Sequence, residues 1–471
     1  MRLTLLSLLM GMGMSIFAQE AVKVMTLQEC VTLAVENNLN VQRARLNLET
    51  AEVNKRQADF QRLPNANANS SFGYSWGRSI DPSSNQFITQ RIESFNVGAQ
   101  SGLVLFNGQS INNSIKRSGS DVSAAEFDVE KASNDVQLNV VTFYLNVIFN
   151  KELLENARYQ LRSSQEQLER TKKLVEAGSL PRTNELELMS QVSTNEVNVI
   201  TAENNLNLAY LTLKQVMLLP VVENIDVVIP ELQIEEVNIS MSTEEVYNNA
   251  QQNMPEIKSA DMRVRSAEYA YMSTRGGYYP TLTLTGGVST IYSDARVEFV
   301  PDGGGSLGST GLVTSGGEDV LSFSPTGDFE TIPFGNQLKD NLSRFISLGL
   351  TVPIFNRFNQ RSAVQRSKIT MQQASINAVE QQNFLRQTIE TAFNDVQAAS
   401  KTYAAATKQV EALEETFRSI ENQYNFGAAN FTDYQVASNN LFRARSDQSR
   451  AKFDFIFKKK LLDFYQGIPI F

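Results

Sequence analysis

The sequence has no histidine and only one cysteine, Cys30, in 471 residues. Without imidazole, Ser-His and Cys-His catalysis, imidazole general bases and nearly all zinc chemistry are excluded. One thiol cannot form an internal disulfide; set between Leu27 and Leu33 on a helical face, it reads as a buried core thiol. Gly-rich phosphate loops are also missing. No catalytic residue, cofactor or metal is therefore expected, and the composition points away from an enzyme. Basic side chains number 42 against 51 acidic ones, a balance unsuited to nucleic acid.

Long apolar runs are equally scarce. Leu3 to Phe17 is apolar, follows Arg2, and ends at Ala18 before Gln19, so residues 1–18 read as a secretory signal rather than a retained anchor. Its removal takes Arg2 and changes the formal net charge from −9 to −10. Gln19, where a lipid-bearing cysteine would stand, argues against a lipoprotein. No later run is long enough for a spanning helix. An exported chain of this kind is secreted, periplasmic, or inserted as a β-barrel.

What the chain does have is a repeat. Thr26-x-x-Glu29 recurs 216 residues later as Ser242-x-x-Glu245. At the same shift Asn37 meets Asn253, Ala44 meets Ala260, Ala51-Glu52 meets Ala267-Glu268 and Pro64 meets Pro280. Later the shift is 249: Phe106-Asn107 meets Phe355-Asn356, Arg117-Ser118 meets Arg366-Ser367, Gly178 meets Gly427 and Thr183 meets Thr432. The difference places 33 inserted residues between Pro280 and Phe355 of the second copy.

Each copy opens on a capping box, which predicts a helix from 26 or 242 to near Pro64 or Pro280. Alternating strands follow. Phe72, Tyr74 and Trp76 share a face, as do Leu282, Leu284, Val288 and Tyr292. Their partners are expected at Val97–Leu105 and Ile346–Ile354. Apolar and small polar residues alternate over about ten positions, as in lipid-facing barrel strands or half-buried strands of a soluble sheet. Then come stretches free of proline and glycine, Ser120 to Ala177 and Ile354 to Phe426. As single helices they would each reach ~100 Å. Apolar residues step by sevens through Val140, Val147, Leu154, Leu161, Leu168 and Val175, and through Ile389, Val396, Tyr403, Val410, Phe417 and Tyr424. A second seam lies three residues on, including Ala157, Ala392, Ala399 and Ala406. Gly178 and Gly427 have the position of C-cap glycines, followed by further helix over 182–217 and 428–466. Each copy thus holds an antiparallel helical hairpin. The helix at 26–63 has the length to stack end to end with 182–217 and match the long arm.

Four strands cannot close a barrel, and lipid does not tolerate an open edge; closure requires other chains, and three copies give twelve strands. The duplicated Thr/Ser-x-x-Glu start, the Phe-Asn endings, the tips 176–186 and 424–434, and the tail Leu461-Leu462-Asp463-Phe464-Tyr465-Gln466-Gly467 together resemble the TolC-type outer-membrane efflux protein family. The resemblance covers essentially the whole mature chain. It implies an α+β protomer of four outer-membrane strands and long antiparallel coiled-coil helices. Three protomers would form a twelve-stranded β-barrel on a twelve-helix periplasmic α-barrel. A periplasmic adaptor and an inner-membrane transporter are the implied partners, with outer-membrane lipid around the barrel. The domains expected are the signal (1–18), a first repeat (19–222), a linker or belt (223–241) and a second repeat (242–471). The last contains a Gly-rich, flexible extracellular loop around 294–341.

The resemblance also places a gate at the tips. Asp433 matches a family aspartate that lines the constriction and makes it cation-selective, although it could instead be a helix N-cap. Val436 stands where many members have a second acid. Tyr424 matches a latch tyrosine, with Asn184 in place of the acid it reaches, leaving a neutral hydrogen bond; as a seam residue it could equally be core. Thr183 lies beside Asn184, and Ala429 replaces a gate-holding arginine. Gly178 and Gly427 would form the turns at which the adaptor docks. A passive porin accounts for the strands but not the helices, and a periplasmic structural coiled coil accounts for the helices but not the strands.

Overall fold

The structure, a computed structural model, describes residues 23–80, 85–89, 91–220, 222–229 and 242–468. The signal segment and residues 230–241 of the linker lie outside these. In chain order the first copy contains β1 (Lys23–Met25), α1 (Leu27–Asn37), α2 (Leu39–Phe60), β2 (Asn65–Ser75), β3 (Arg78–Ile80), β4 (Phe87–Thr89), β5 (Ile92–Phe106), α3 (Ser110–Glu176) and α4 (Arg182–Met217). After β6 (Ile225–Val227) come α5 (Thr243–Asn253), α6 (Pro255–Gly276), β7 (Thr281–Ser293), β8 (Val297–Val313), β9 (Asp319–Thr331), α7 (Phe334–Asp340), β10 (Ser343–Thr351), α8 (Asn359–Asn425) and α9 (Phe431–Tyr465). Helices α5 and α6 start 216 residues after α1 and α2, and α8 and α9 start 249 after α3 and α4. Among the described residues no helix is long and apolar enough to cross a membrane.

The chain forms two compact units. One comprises Met1–Glu52, Ser120–Val264 and Gln373–Phe471, the other Val53–Gly119 and Arg265–Gln372.

The first unit is helical. Thr26 Oγ1 accepts the Glu29 N–H at 3.3 Å and Glu29 Oε2 accepts the Thr26 N–H at 2.8 Å; Ser242 and Glu245 repeat this at 3.3 and 2.7 Å. The single helix expected after each box is instead two. At Met254 the backbone is extended because Pro255 follows, and the proline opens α6. At Asn38, also extended, the side-chain oxygen accepts the Asn40 N–H at 2.8 Å and caps α2. The Asn37 amide reaches the carbonyl of Met217, the last residue of α4, at 3.4 Å, so α4 ends where α1 gives way to α2. The long helices also depart from the expected bounds. Helix α3 begins ten residues early, at Ser110, and tolerates Gly119, whose cost inside a helix is only about 1 kcal/mol. Helix α8 begins at Asn359, not near Ile354. Asn107 and Asn356 of the Phe-Asn pairs accept backbone N–H bonds from Ile111 and Gln360 at 3.3 and 3.4 Å, which explains that recurring dipeptide.

The core sits where α1 and α4 pack with α3. Cys30, Ala34, Val140, Val147, Ile148, Leu213 and Met217 are buried together. Strand β6 pairs in parallel with β1, matching Val24 to Asp226. The Tyr144 hydroxyl donates to the Val228 carbonyl at 2.6 Å, and Asp226 accepts from Lys151 Nζ and the Tyr210 hydroxyl, each at 2.6 Å. The second copy builds its own cluster from Val246, Ala250, Ile257, Ile389, Val396, Phe455 and Leu462.

The second unit holds one antiparallel four-stranded sheet in the order β10-β7-β5-β2. Strand β5 runs from Ile92, longer than expected, with an irregularity at Leu105; β10 stops at Thr351, two residues short of Pro353, which has no N–H for a ladder. The registers sort every side chain to one of two faces. Phe72 lies opposite Phe95 and Phe95 opposite Tyr292; Ala99 meets Val288, and Leu103 meets Leu284, which meets Leu348. Leu282 meets Leu350 on the same face. The other face presents Asn65, Asn67, Asn69, Ser71, Asn96, Gln100, Thr283, Thr285 and Ser347. The apolar face is uncovered, with Ile346 84% and Leu348 64% exposed.

In place of a flexible loop, the inserted region is a ribbon of β8 paired antiparallel with β9, followed by α7. Glycine content concealed it, because alternation continues through the glycines. The ribbon base is clamped to the sheet. Buried Gln337 accepts the Ser293 N–H at 3.0 Å and donates to the carbonyls of Ser293 at 2.8 Å and Ile332 at 2.9 Å. Asn341 donates to the Ile291 carbonyl at 2.6 Å and accepts from Arg296 at 2.6 Å, and the Phe334 ring packs on Tyr292 and Phe95.

Two outcomes follow from these contacts. Gln337→Ala strands the Ser293 and Ile332 groups at a cost of roughly 2–3 kcal/mol; hydrogen exchange at the ribbon base should accelerate by at least about tenfold while helical amides stay unchanged. Asp226 is opposed by burial, yet the Lys151 ammonium, the Tyr210 hydroxyl and the Val227 N–H hold its carboxyl below the usual carboxylate range. Its pKa is lowered on folding, so the stabilisation is present above the unfolded carboxylate value and is lost as pH falls through the folded one. Partial exposure limits the effect to about 1 kcal/mol. Asp226→Asn should therefore speed exchange of the β1 amides at pH 6, and the difference from the parent should shrink towards pH 3.

Candidate functional site at the helical hairpin tips

Both hairpins turn on a glycine in the left-handed region, Gly178 and Gly427 at φ +73° each. In the first, the Gly178 N–H donates to the Val175 carbonyl at 2.9 Å and the Ser179 N–H to that of Leu174 at 2.8 Å. In the second, Gly427 donates to Tyr424 at 3.0 Å and Ala428 to Gln423 at 2.8 Å. These pairs of bonds satisfy the last carbonyls of α3 and α8, and the left-handed residue they require is unfavourable for any side chain. The following helices start differently. Helix α4 follows Pro181 with no side-chain cap, whereas Asn430 accepts the Asp433 N–H at 2.8 Å and caps α9. Asp433 is thus not the N-cap; it occupies the first turn, exposed, where its charge favours the helix N-terminus.

Beneath the turns the two hairpins share one aromatic cluster. Leu188, Phe431 and Tyr434 are buried against Leu168, Phe417, Ile420 and Tyr424. The Tyr424 and Tyr434 rings stack with centroids 5.1 Å apart, and Phe431 lies 6.2 Å from Tyr424. Burial pushes the Tyr434 hydroxyl up to about 12, against the hydrogen bond from Ser163. Arg170 of α3 donates to the Asn425 side chain of α8 at 2.7 Å.

The structure does not make the expected bond between Tyr424 and Asn184. The Tyr424 hydroxyl is buried with no hydrogen-bond partner. Stacking between Phe431 and Tyr434 holds the ring, and Asn184, partly buried in the first turn of α4, has its backbone N–H on the Pro181 carbonyl at 3.2 Å. Thr183 is exposed beside it.

Sequence reading missed a set of neutral polar links just behind this cluster. Gln160 of α3 donates to Ser438 of α9 at 2.8 Å. Gln435 of α9 donates to Gln191 of α4, which donates to Asn195 at 3.0 Å, and Asn195 donates to Ser164 of α3 at 3.0 Å. The available signal was the second seam: three and ten residues after Leu161 it reads Ser164 and Thr171, both buried, where Ala157 precedes them. Towards the tip the seam changes from apolar to hydroxyl-bearing and amide-lined. Val140, Val147 and Leu154 are buried, while Leu161, Leu168 and Val175 are only partly so.

The pattern that describes the family named Outer membrane efflux protein matches residues 30–217 and 246–455. The chain belongs to this family. As an outer membrane efflux protein it has its place in the outer membrane, and family and fold are those of channel proteins. It is 20% identical over 361 residues to outer membrane efflux protein BepC of Brucella suis, covering 76% of this chain and 69% of that one. With outer membrane protein TolC of Escherichia coli it is 21% identical over 321 residues, 68% of this chain and 58% of TolC. The fold is similar to that of the outer membrane protein VceC from Vibrio cholerae, with a TM-score of 0.72 at 13% identity, over 94% of this chain and 97% of VceC.

The tip chemistry gives a contrast between two substitutions. Tyr424→Phe removes a buried hydroxyl that bonds to nothing, so tip stability should be unchanged or rise by about 1 kcal/mol. Gln435→Leu strands the Gln191 oxygen and should loosen the tip by roughly 1–3 kcal/mol. Protease nicking near 178–184 and 427–433 reads both; a Tyr424→Phe protein as loose as Gln435→Leu would contradict this account.

Proposed function

We propose that three copies of the chain assemble into a channel-tunnel, the exit duct of a tripartite efflux or type I secretion system, without enzymatic activity of its own. The observation that supports it best is the four-stranded sheet. One face is apolar and largely uncovered, the opposite face is lined mainly by Asn, Ser, Thr and Gln with Phe345, Ile291 and Val104 among them, and among the described residues no strand pairs with the outer edges of β2 and β10. An apolar face suits hydrocarbon and a polar face suits a water-filled lumen. Edges that lipid cannot satisfy must pair with neighbouring copies. A second surface agrees. Leu39, Leu46, Val53 and Phe60 recur every seven residues along α2 and are all exposed, an apolar seam with no helix upon it among the described residues.

In this reading the tips form the periplasmic gate. Asp433 carboxylates from three copies would ring the constriction and attract cations, while Tyr424, Asn184 and Thr183 line the closure around them. Gly178 and Gly427 shape the turns that meet a periplasmic adaptor, which couples the duct to an inner-membrane transporter.

Reconstitution tests the proposal. The protein should fractionate with the outer membrane, run as a trimer and conduct in planar bilayers, and Leu46→Glu should leave monomers. Asp433→Asn should move the reversal potential in a salt gradient towards zero, reducing cation preference several-fold without altering trimer mass. A soluble monomer would sink the trimeric duct. Large, ungated conductance in an unaltered trimer would favour a passive porin.

A further inference from the structure

The β8–β9 ribbon has two unlike faces. Register places Phe299 opposite Phe329, Leu307 opposite Phe323 and Gly305 opposite Pro325, so these share one face with Val297, Pro301 and Leu321. Phe299 and Phe329 touch edge to face, 5.4 Å between centroids. The other face carries Glu298 opposite Glu330, with Asp328 beside them, and Asp302 accepts from the Thr326 hydroxyl at 2.8 Å. Between Val297 and Thr331 there are six carboxylates and no lysine or arginine. The apolar face is bare: Phe323 is 62% and Phe329 70% exposed.

A two-stranded ribbon of this length is marginal on its own in water, and its aromatic face needs cover. Hydrocarbon is a poor cover. The outer backbone groups of both strands would enter lipid unpaired, and the carboxylate face would meet lipid phosphates with no cation of its own to offset them. Helix α6 enters β7 at Thr281 and the ribbon leaves it at Ser293, so the ribbon springs from the strand ends farthest from that helix. It is held there by Gln337 and Asn341, on the same sheet whose open edges call for further copies.

Building on the trimer reading, we propose that the apolar face of the β8–β9 ribbon is a contact surface for the ribbons of the other copies of this chain. The three pack ring-bearing face to ring-bearing face and turn their carboxylates to water. The ribbons then form a small hydrophobic stalk at the sheet end farthest from α6.

Single cysteines test this in the full-length protein held in zwitterionic-lipid nanodiscs, where buried Cys30 is silent. Phe323→Cys and Phe329→Cys report the apolar face; Ser324→Cys and Glu330→Cys report the other. The expected result is maleimide labelling at least about tenfold slower on the apolar face, with oxidation giving disulfide-linked dimers from that face alone. Native mass is measured on each sample. A trimer in which both faces label alike, or in which the apolar face is protected but never crosslinks, overturns the ribbon contact and leaves the trimer standing. Protection that arises only when phosphate-rich anionic lipid is added overturns it in favour of the membrane surface. A monomeric mass overturns the trimer reading itself.

Discussion

A backbone N–H or C=O group in hydrocarbon has no water to turn to, and most of this architecture follows from that. The four-stranded sheet is apolar on one face along all four strands, so lipid is its natural surroundings, yet β2 and β10 each end the sheet on an open ladder. No rearrangement within one chain closes four strands into a cylinder. The same incompleteness appears in the helices, where α2 exposes a regular apolar seam. In the proposed assembly the protomer is a segment of a ring, and these exposed surfaces are the ones along which the ring would be joined.

The helical part solves a different problem. Helices of 67 residues cannot bury a continuous seam inside one globule, so burial varies along their length. Near α1, α4 and the β1–β6 pair, the seam is enclosed by Tyr144, Met217 and their neighbours. Towards Gly178 the α3 seam thins and hydroxyls replace aliphatic residues, and aromatic stacking takes over the work of holding two hairpins together. Local opening is cheapest where apolar contacts are fewest, which puts the loosest part of the molecule at its turns.

Much of this was written in the sequence. The 216 and 249 shifts, the capping boxes and the tip glycines each depend on a local rule with a one-residue signature, and local rules survive without knowledge of the fold. The strand bounds, the break at Asn38 and the ribbon were harder. Asn38 looked like one more polar residue on a helix, because the bond it makes to Asn40 exists only once the chain has turned. The ribbon was hidden by glycines that composition assigns to a loop, although Phe299, Leu321, Phe323 and Phe329 kept a period of two. At the tips, resemblance supplied the positions of Tyr424, Asn184 and Asp433 but not their bonding. Gln160, Gln191, Gln435 and Asn195 bear no motif; their importance depends on three helices meeting.

The polar links behind the tip turns have one more consequence. They are amide to amide and amide to hydroxyl, and the rings beside them are stacked, so none of these links offers a charge that salt could screen or acid could neutralise. Ionic strength and mild acidification have little purchase on such a fastening. Parting these links takes a displacement of one helix against another, so each of them answers to movement along the hairpins and not to the salt around them.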